Sequence, residues 1–261
     1  MRMDVEDKLY AEERRHLIVR LVREAGRVEV ARLAERFGVT PETVRQDLNA
    51  LQRSGLLKRM HGGAVPVERS LYEARISERR EFSAEKESIA EAALPLLPVT
   101  GSVFLESGTT ATFLAERIPP SRDLTVFTNS LPIALLLAPR TDLTVITLGG
   151  RVRAVTLGEV DSFAIRSLRD IHVDVAFLGT NGFSVAHGLT TPDQSEAEFK
   201  RETLRVGETT VLLADRTKLG QASVWRYGEL DAIDVLVTSP HADEQLLAAA
   251  RDHVGRVVLA Q

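Results

Sequence analysis

The sequence predicts an α/β protein with an N-terminal winged helix-turn-helix and a C-terminal domain built on a parallel β-sheet. Two short amphipathic helices and a basic hairpin fall between residues 30 and 65. From about residue 85, helical patterns alternate with short apolar strands, which is typical of a parallel sheet covered on both faces. The hydrophobic content of 44% over 261 residues is ample for a core, and the length suits one large domain or two smaller ones.

The first helix of the N-terminal motif is predicted at residues 31–37, where Leu33 and Phe37 share one face. Gly38 follows and can adopt the left-handed backbone conformation that ends a helix. A further amphipathic helix is predicted ahead of the motif, at residues 12–24. The pattern therefore indicates two helices before the turn.

The second helix of the motif carries the side chains that we expect to read DNA. Thr40 suits its N-cap and Pro41 its first position. Val44, Leu48 and Leu51 then form one apolar stripe. The polar residues off this stripe are Thr43, Arg45 and Gln46, which we expect to contact base edges, with Glu42 and Asn49 beside them.

A small β-hairpin, or wing, is predicted after this helix ends near residues 54–55. Residues 56–60 are predicted as its first strand, 61–63 as a tight turn and 64–65 as the returning strand, with which 27–30 could pair. An ordinary helical pair is the alternative, but these elements in this order favour a DNA-binding winged helix. The residues expected to contact mainly phosphates are Thr40, Lys58, Arg59 and His61.

The net charge of −4 divides unevenly along the chain. Residues 1–66 carry 13 Lys or Arg and 10 Asp or Glu, a balance of +3, which leaves −7 for the remainder. Such asymmetry is expected when one part meets phosphate and the other does not. Because +3 gives only modest attraction, a single module should bind DNA weakly, and we expect a homo-oligomer, either a dimer or a tetramer.

Composition excludes several kinds of site. The chain has no cysteine, which excludes disulfides and thiolate metal sites and fits a reducing cytoplasm. The six histidines lack ligand-like spacing, and we expect neither a metal nor a cofactor. No apolar run approaches the roughly 18 residues of a membrane span, and the acidic N-terminus differs from a signal peptide. We therefore expect a cytoplasmic protein with no membrane partner.

Three segments are predicted: a winged helix at 8–66, a linker at 67–84 and a ligand-binding domain at 85–261. The linker is rich in Glu and Arg, so it could be a solvated helix or an extended chain. In the last segment, strands are predicted at 102–106, 124–128, 143–148, 173–178, 209–213, 235–238 and 257–260, and helices at 86–97, 109–117, 131–138, 163–171, 193–206 and 243–253.

Polar and glycine-rich loops follow the carboxyl ends of these strands, where parallel sheets bind ligands. Residues 107–110 open a helix, so their N–H groups and hydroxyls could surround a phosphate, with charge from Arg151, Lys200 and Lys218. The expected ligand contacts are Glu106, Ser107, Gly108, Thr109, Thr110, Thr128, Asn129, Ser130, Gly149, Gly150, Arg151, Asn181, Lys200, Asp215 and Lys218. Among them, those expected to bind hydroxyls are Glu106, Asn129, Asn181 and Asp215.

Each of these loops has a purely structural alternative. Residues 107–110 could be a plain N-cap, Asn181 part of a turn and Lys200 a solvated helix residue, and Asp215 could pair with Lys218 at the surface. Five such loops on one edge of a parallel sheet nevertheless favour a pocket for a small phosphorylated sugar or polyol.

Several motifs together resemble those of DeoR-type transcriptional regulators. They occur in the family's order over nearly the whole chain. They lie at residues 43–48, 61–64, 107–110, 128–130, 148–150, 187–192 and 214–215, with Lys218. The resemblance implies an N-terminal winged helix, a C-terminal sensor domain for a phosphorylated metabolite, a dimer or higher oligomer, and a repressor of a carbohydrate-utilisation operon.

The chain departs from the family pattern at two positions. The family usually has aspartate where this chain has Glu106, and a second arginine where it has Gln46. The first change could alter which hydroxyls are accepted, and the second the operator, since Gln favours adenine where Arg favours guanine. The stretches 148–153 and 177–182 look most like regulators of fructose use, which implies fructose 1-phosphate or a close relative as effector.

The C-terminal domain also resembles the ribose-5-phosphate isomerase fold, which raises an enzymatic alternative. Isomerisation needs a general base near the C–H bond that breaks. The isomerases carry carboxylates in the turn equivalent to residues 178–182, whereas here that turn contains no acid. We therefore expect a regulator that binds operator DNA and a sugar phosphate, rather than an isomerase-like enzyme with an accessory DNA-binding domain.

Overall fold

The computed structural model of the chain describes residues 11–25, 27–53, 56–60, 62–65, 73, 76, 83–120 and 122–261. The chain divides into two compact units, Met1–Ala74 and Arg75–Gln261. This division falls inside the predicted linker. His61 of the predicted wing and most of the linker lie outside the described residues.

The described part of the N-terminal unit combines three helices with a small antiparallel sheet. Its elements are α1 (Ala11–Ala25), β1 (Val28–Glu29), α2 (Val30–Phe37), α3 (Pro41–Arg53), β2 (Lys58–Met60) and β3 (Gly63–Val65). The strand order is β1–β3–β2, so the strand ahead of the helix pair joins the wing. The predicted winged helix-turn-helix is confirmed.

Local sequence explains how α2 and α3 are joined. Gly38 has a φ of 61° and ends α2 in the left-handed conformation. Thr40 then caps α3, because its Oγ1 accepts a hydrogen bond from the N–H of Thr43 at 3.1 Å. Val44 and Leu48 are fully buried in the core of the unit. The predicted helix, glycine turn and capped helix are therefore all present.

A buried carboxylate lies within α3. Asp47 is 1% exposed, and its two oxygens accept hydrogen bonds from Arg14 Nε at 2.6 Å and Arg15 Nε at 2.8 Å. Both arginines belong to α1, so these ion pairs join the first helix to α3. Asp47 lies beside the apolar stripe, three residues after Val44, but the hydrophobic pattern gives no partner for an acid at this position and so does not predict the contact.

The C-terminal unit is built on a seven-stranded parallel sheet. Its strands are β4 (Thr100–Leu105), β5 (Asp123–Thr128), β6 (Leu143–Thr147), β9 (Val173–Gly179), β12 (Gly207–Ala214), β14 (Val235–Thr238) and β15 (Arg256–Leu259). The shorter strands are β7 (Arg151–Arg153), β8 (Gly158–Val160), β10 (Gly182–Ser184), β11 (Gly188–Thr191) and β13 (Trp225–Gly228). The helices are α4 (Ser83–Ala93), α5 (Thr109–Glu116), α6 (Leu131–Leu137), α7 (Ser162–Arg169), α8 (Gln194–Thr203) and α9 (Glu244–Arg251), and 3₁₀ turns span Leu94–Leu96 and Leu230–Ala232.

The strand order of the large sheet is β15–β14–β12–β9–β4–β5–β6. From β4 the chain proceeds to β5 and β6 on one side, whereas from β9 it proceeds to β12, β14 and β15 on the other. This reversal is a topological switch point, where a crevice forms outside the carboxyl ends of the strands. Side chains of α4, α5 and α6 join one core cluster and those of α7, α8 and α9 the other, so helices cover both faces.

Five short strands are not predicted by the sequence. β7 and β8 form an antiparallel hairpin, while β10, β11 and β13 form a three-stranded antiparallel sheet. Each has only three or four residues. Segments this short show neither a clear apolar run nor a clear alternation, so the hydrophobic pattern does not distinguish them from loops.

Candidate functional site

The solvent-facing side of α3 carries the residues predicted to read DNA. This side lies opposite the buried apolar stripe. Thr43 is half-buried there, and its hydroxyl oxygen lies 2.9 Å from Thr40 Oγ1. The exposed residues predicted for DNA contact on α3 are Glu42, Arg45, Gln46 and Asn49.

Arg45 forms an ion pair with Glu42 on the same surface. Arg45 Nη1 lies 3.0 Å from Glu42 Oε2, one helical turn earlier. About half of each side chain or more is exposed, so the pair contributes little to folding. Arg45 can therefore exchange this partner for a base at little cost.

The wing is attached to α3 through Arg59 of β2. Arg59 Nη1 donates to Asn49 Oδ1 at 2.5 Å, and the N–H of Arg59 donates to Gln52 Oε1 at 2.9 Å. Its neighbour Lys58 is exposed. The structure thus joins two residues predicted for DNA contact, Asn49 of α3 and Arg59 of the wing.

The loops that follow β4, β5, β6, β9 and β12 form the ligand edge of the C-terminal unit. Glu106 follows β4 and is 1% exposed. Its Oε2 accepts from Lys200 Nζ at 2.7 Å and from the N–H of Gly179 at 2.8 Å. Lys200 Nζ also donates to Gly179 O at 3.0 Å. The Glu106–Lys200 pair therefore lies at the carboxyl ends of β4 and β9, at the switch point.

Two buried oxygens of this loop, Glu106 Oε1 and Thr109 Oγ1, have no hydrogen-bond partner among the described residues. A buried polar atom without a partner is costly, so a hydrogen bond to a ligand or to ordered water would stabilise each of these oxygens. The carboxylate oxygen can only accept, whereas the hydroxyl can also donate. The loop thus contains one uncommitted acceptor and one uncommitted hydroxyl.

Tyr227 of β13 completes the surroundings of Lys200 and is not predicted by the sequence. Its hydroxyl donates to Gly179 O at 3.2 Å, and Lys200 Nζ lies 5.5 Å from its ring centroid. Burial raises the pKa of Tyr227 to about 12. Burial opposes the charge of Lys200, but attraction to Glu106, with smaller contributions from Tyr227 and Glu196, outweighs it and raises the pKa of Lys200. Lys200 is therefore charged.

Asn129 ties three segments of the ligand edge together. It is 1% exposed, its Oδ1 accepts from the N–H of Ser107 at 2.8 Å, and its Nδ2 donates to Glu159 O at 3.1 Å. Its predicted partners in the ligand set, Thr128 and Ser130, are also engaged within the fold. Thr128 Oγ1 donates to Leu105 O at 2.6 Å, and Ser130 Oγ caps the N-terminus of α6. These side chains shape the loops.

The loop after β6 requires glycine, because its backbone has positive φ values and other parts of the same unit pack closely against it. Gly149 and Gly150 have φ values of 76° and 110°. A Cβ at Gly150 would lie 2.8 Å from Asp161 Oδ1. The N–H of Gly149 donates to Glu159 Oε2 at 2.8 Å, and that of Arg151 to Asp161 Oδ2 at 3.1 Å. The two acids, which the sequence analysis does not single out, therefore fix the shape of this loop.

Two further predicted ligand contacts, Asn181 and Asp215, accept hydrogen bonds from the hydroxyls of neighbouring threonines. Asn181 Oδ1 accepts from Thr191 Oγ1 at 3.1 Å. Asp215 is buried, and one of its oxygens accepts from both the N–H and the hydroxyl of Thr217. Asp215 therefore fixes the turn after β12 and does not form the surface ion pair with Lys218.

The cations of the ligand edge differ in how their charge is balanced. Lys200 is paired with Glu106. Arg151 Nη2 donates to Ser195 Oγ at 3.2 Å, and within the described part of the chain it forms no ion pair. The ammonium of Lys218 likewise has no partner among the residues described, and the side chain is half-buried. Lys218 and Arg151 therefore differ from Lys200 in forming no ion pair within the described residues.

A second charge cluster lies at the N-terminal half of α8 and is missed by the sequence analysis. Arg153 Nη1 lies 3.0 Å from Glu196 Oε1, and Arg153 Nε lies 3.2 Å from Asp193 Oδ2. Thr156 Oγ1 also donates to Glu196 Oε1, at 2.9 Å. The sequence contains one signal that could have identified this cluster: the i,i+4 spacing of Glu196 and Lys200 places both side chains on one face of the helix.

Among the described residues, no helix combines the length and the apolar character needed to cross a bilayer. The same residues contain no cluster of three or more histidine or acidic side chains that could hold a metal ion.

Comparison with known proteins matches both units to one family. Residues 14–70 match the DeoR-like helix-turn-helix domain, and residues 81–240 match the DeoR C-terminal sensor domain. YulB of Bacillus subtilis, an uncharacterized HTH-type transcriptional regulator, is 32% identical over 92% of this chain and 93% of its own length. The glycerol-3-phosphate regulon repressor of Escherichia coli is 27% identical over 92% and 96%.

Ribose 5-phosphate isomerase A from Methanocaldococcus jannaschii aligns over 53% of this chain and 55% of its own, at 15% identity and a TM-score of 0.39. A likeness this weak establishes nothing about function. The two domain matches and the near full-length relatives do, and they confirm the prediction of a regulator rather than an enzyme. The chain belongs to the DeoR family of DNA-binding transcriptional regulators, with an N-terminal helix-turn-helix domain and a C-terminal sensor domain.

Proposed function

We propose that the chain is a repressor of a carbohydrate-utilisation operon, and that a phosphorylated sugar or polyol at the ligand edge controls its binding to operator DNA. The observation that carries the proposal is the buried Glu106–Lys200 pair at the switch point, where Glu106 Oε1 and Thr109 Oγ1 lack partners among the described residues. An acceptor-only oxygen and an uncommitted hydroxyl on the same loop suit a polyhydroxylated ligand.

The charges of the ligand edge support separate recognition of hydroxyls and phosphate. The Glu106–Lys200 pair is neutral as a whole, so it has little attraction for an anion. We therefore assign Lys200 to positioning Glu106, instead of the direct phosphate contact that the sequence suggests. The phosphate is assigned to residues 107–110 at the N-terminus of α5, with Lys218 and Arg151 balancing its charge.

The sugar is proposed from the motifs that resemble regulators of fructose use, which favour fructose 1-phosphate or a close relative. The Escherichia coli relative is named for glycerol 3-phosphate, a smaller phosphorylated polyol. That compound is the alternative effector, and both fit a site that reads a hydroxyl at Glu106 and a phosphate nearby.

The oligomer is proposed from the modest charge of the N-terminal segment, which gives one module little attraction for DNA. Two recognition helices, one from each of two subunits, would occupy successive major grooves about one helical turn apart or a multiple of it. A dimer or a tetramer satisfies this spacing. Sedimentation of the chain, alone and with operator DNA, distinguishes either from a monomer.

The test is binding of the full chain to the promoter region beside its own gene, at fixed salt, titrated with fructose 1-phosphate, sn-glycerol 3-phosphate and the unphosphorylated parent compounds. Specific binding that one phosphorylated compound changes, and its parent does not, supports the proposal. Specific binding that no compound changes leaves the DNA-binding assignment standing and refutes both proposed effectors. An equal response to fructose and fructose 1-phosphate refutes the phosphate assignment.

Lys218→Met is expected to lower affinity for the phosphorylated effector by about 1.5–3 kcal/mol, since it removes a charge-assisted contact. Affinity for the unphosphorylated parent should not change. Arg216→Met is the matched control, because Arg216 lies on the same loop but has Glu85 as an ion-pair partner at 3.6 Å. Calorimetric titration checks both variants, and an equal loss for the two ligands would assign Lys218 to the sugar rather than the phosphate.

Arg45→Ala is expected to relax operator preference by about 1–3 kcal/mol at one base pair, because it removes a base contact from α3. Lys58→Ala is the comparison: as an exposed phosphate contact it should weaken binding to all DNA and lower the salt slope by about one unit. Competition between operator and scrambled DNA at several salt concentrations separates the two effects. Unchanged operator preference in Arg45→Ala would show that α3 does not read the operator.

A further inference from the structure

Strand β8 of the β7–β8 hairpin contacts the ligand edge. Glu159 Oε2 accepts a hydrogen bond from the N–H of Gly149 at 2.8 Å, and the carbonyl oxygen of Glu159 accepts from Asn129 Nδ2 at 3.1 Å. Gly158 approaches Ser107 so closely that a Cβ at Gly158 would lie 2.6 Å from Ser107 Oγ. This strand therefore packs directly against the loops assigned to the ligand.

The turn of the hairpin, between β7 and β8, bonds to Ile76. The N–H of Ile76 donates to Val155 O, between β7 and β8, at 2.8 Å. In sequence, Ile76 stands just after the division between the two units at residues 74 and 75. The hairpin is thus bonded both to the ligand edge and to the stretch of chain through which the C-terminal unit follows the winged helix.

Arg153 fastens the hairpin to α8. Its guanidinium bonds to Glu196 at 3.0 Å and to Asp193 at 3.2 Å, and Thr156 adds a hydrogen bond to Glu196 at 2.9 Å. Glu196 lies one turn before Lys200, whose ammonium bonds to Glu106. Glu196 and Arg153 therefore connect α8, near Lys200, to the hairpin.

Two non-glycine residues with positive φ flank β8. Leu157 has a φ of 52° and Asp161 a φ of 118°. Residues other than glycine rarely adopt these backbone conformations, and the exceptions are often found at ligand-binding sites and switch regions. Leu157 is held by hydrogen bonds to Arg153 O at 2.7 Å and from the N–H of Leu131 at 3.1 Å. The backbone conformation of Leu157 therefore depends on these two hydrogen bonds.

We propose that the β7–β8 hairpin relays ligand binding to the chain segment at Ile76, and that Arg153 is the positioning residue that keeps the hairpin in register with α8. The inference rests on the proposed function, because it takes the ligand edge as the effector site. A ligand that bonds Glu106 Oε1 alters the Glu106–Lys200 pair, and the shift passes along α8 to Arg153 and so to Val155 and Ile76.

Amide hydrogen exchange of the full chain tests this link without any ligand. In Arg153→Ala, the peptide that contains Ile76 is expected to exchange at least about tenfold faster, because the hairpin loses its attachment to α8. Arg169→Ala is the matched control, since it removes an exposed ion pair to Glu202 of α8 at 2.8 Å. It should leave that peptide unchanged. Unchanged exchange in Arg153→Ala would overturn the inference, whatever the effector is.

Operator titration with fructose 1-phosphate and sn-glycerol 3-phosphate tests the relay itself. Arg153→Ala should bind the effector within about twofold of the wild type, yet its effector-induced change in operator affinity should shrink about tenfold. Arg153→Lys should restore part of that change. Arg153→Met with Glu196→Gln is measured as well, because this double variant removes both members of the largely buried Arg153–Glu196 ion pair.

The inference would be overturned if the double variant kept the full effector-induced change in operator affinity, or if it no longer bound the effector. Either result would show that Arg153 does not act as a positioning residue. A wild type that responds to neither compound would instead refute the proposed function. The hydrogen-exchange comparison then still decides whether the hairpin couples α8 to Ile76.

Discussion

Replacing Lys200 with methionine is expected to lower the free energy of unfolding of the C-terminal unit by about 3–5 kcal/mol. Both members of the Glu106–Lys200 pair are at least nine-tenths buried, so the variant leaves the Glu106 carboxylate without its cation in a low-dielectric interior. Combining Lys200→Met with Glu106→Gln should recover most of the loss, since neither charge remains.

Urea unfolding of the full chain, followed by tryptophan fluorescence, measures this effect. Trp225 is the chain's single tryptophan and belongs to β13, so its signal reports on the C-terminal unit. Arg169→Met is the control: Arg169 is 60% exposed in its pair with Glu202, and its loss should cost at most about 1 kcal/mol. If Lys200→Met were as stable as the wild type, the pair could not be the buried ion pair described above.

The second large effect concerns Asp47→Ala, which is expected to destabilise the winged helix by about 3–5 kcal/mol. The substitution leaves the buried guanidinium of Arg14 and the half-exposed one of Arg15 without their shared carboxylate. A core this small rarely supplies more than about 3–5 kcal/mol in total, so we expect the unit to be largely unfolded and specific DNA binding to be lost.

Amide hydrogen exchange in α1 and α3 provides the measurement for Asp47→Ala, together with operator binding. Glu42→Ala is the matched control, because it removes an exposed carboxylate from the same helix. It should preserve protection in both helices. Protected amides and normal operator affinity in Asp47→Ala would contradict a structural role for the ion pairs.

Much of the fold could be predicted because its signals are local. Gly38, Thr40 and the stripe from Val44 to Leu51 specify the helix pair within about a dozen neighbouring residues. The seven strands of the large sheet are short apolar runs between helices, a pattern that requires burial on both faces. In both cases the residues that determine an element lie within it or directly next to it.

The parts that could not be predicted depend on distant partners. Asp47 meets Arg14 across 33 positions, and Lys200 meets Glu106 across 94. Nothing close to Asp47 or Lys200 in the sequence identifies these partners, because the opposite charges come from distant segments. The β7–β8 hairpin is similar, since three-residue strands acquire their position from Glu159 and Arg153 rather than from an apolar pattern.

The hydrogen bond between Arg59 and Asn49 has a consequence for how an operator is read. Asn49 Oδ1 accepts from the wing through one lone pair, and its second lone pair and its amide N–H₂ stay available for an adenine. If Asn49 reads a base, its orientation is set by the position of the wing. The protein would then select operators partly by the groove geometry that admits helix and wing together.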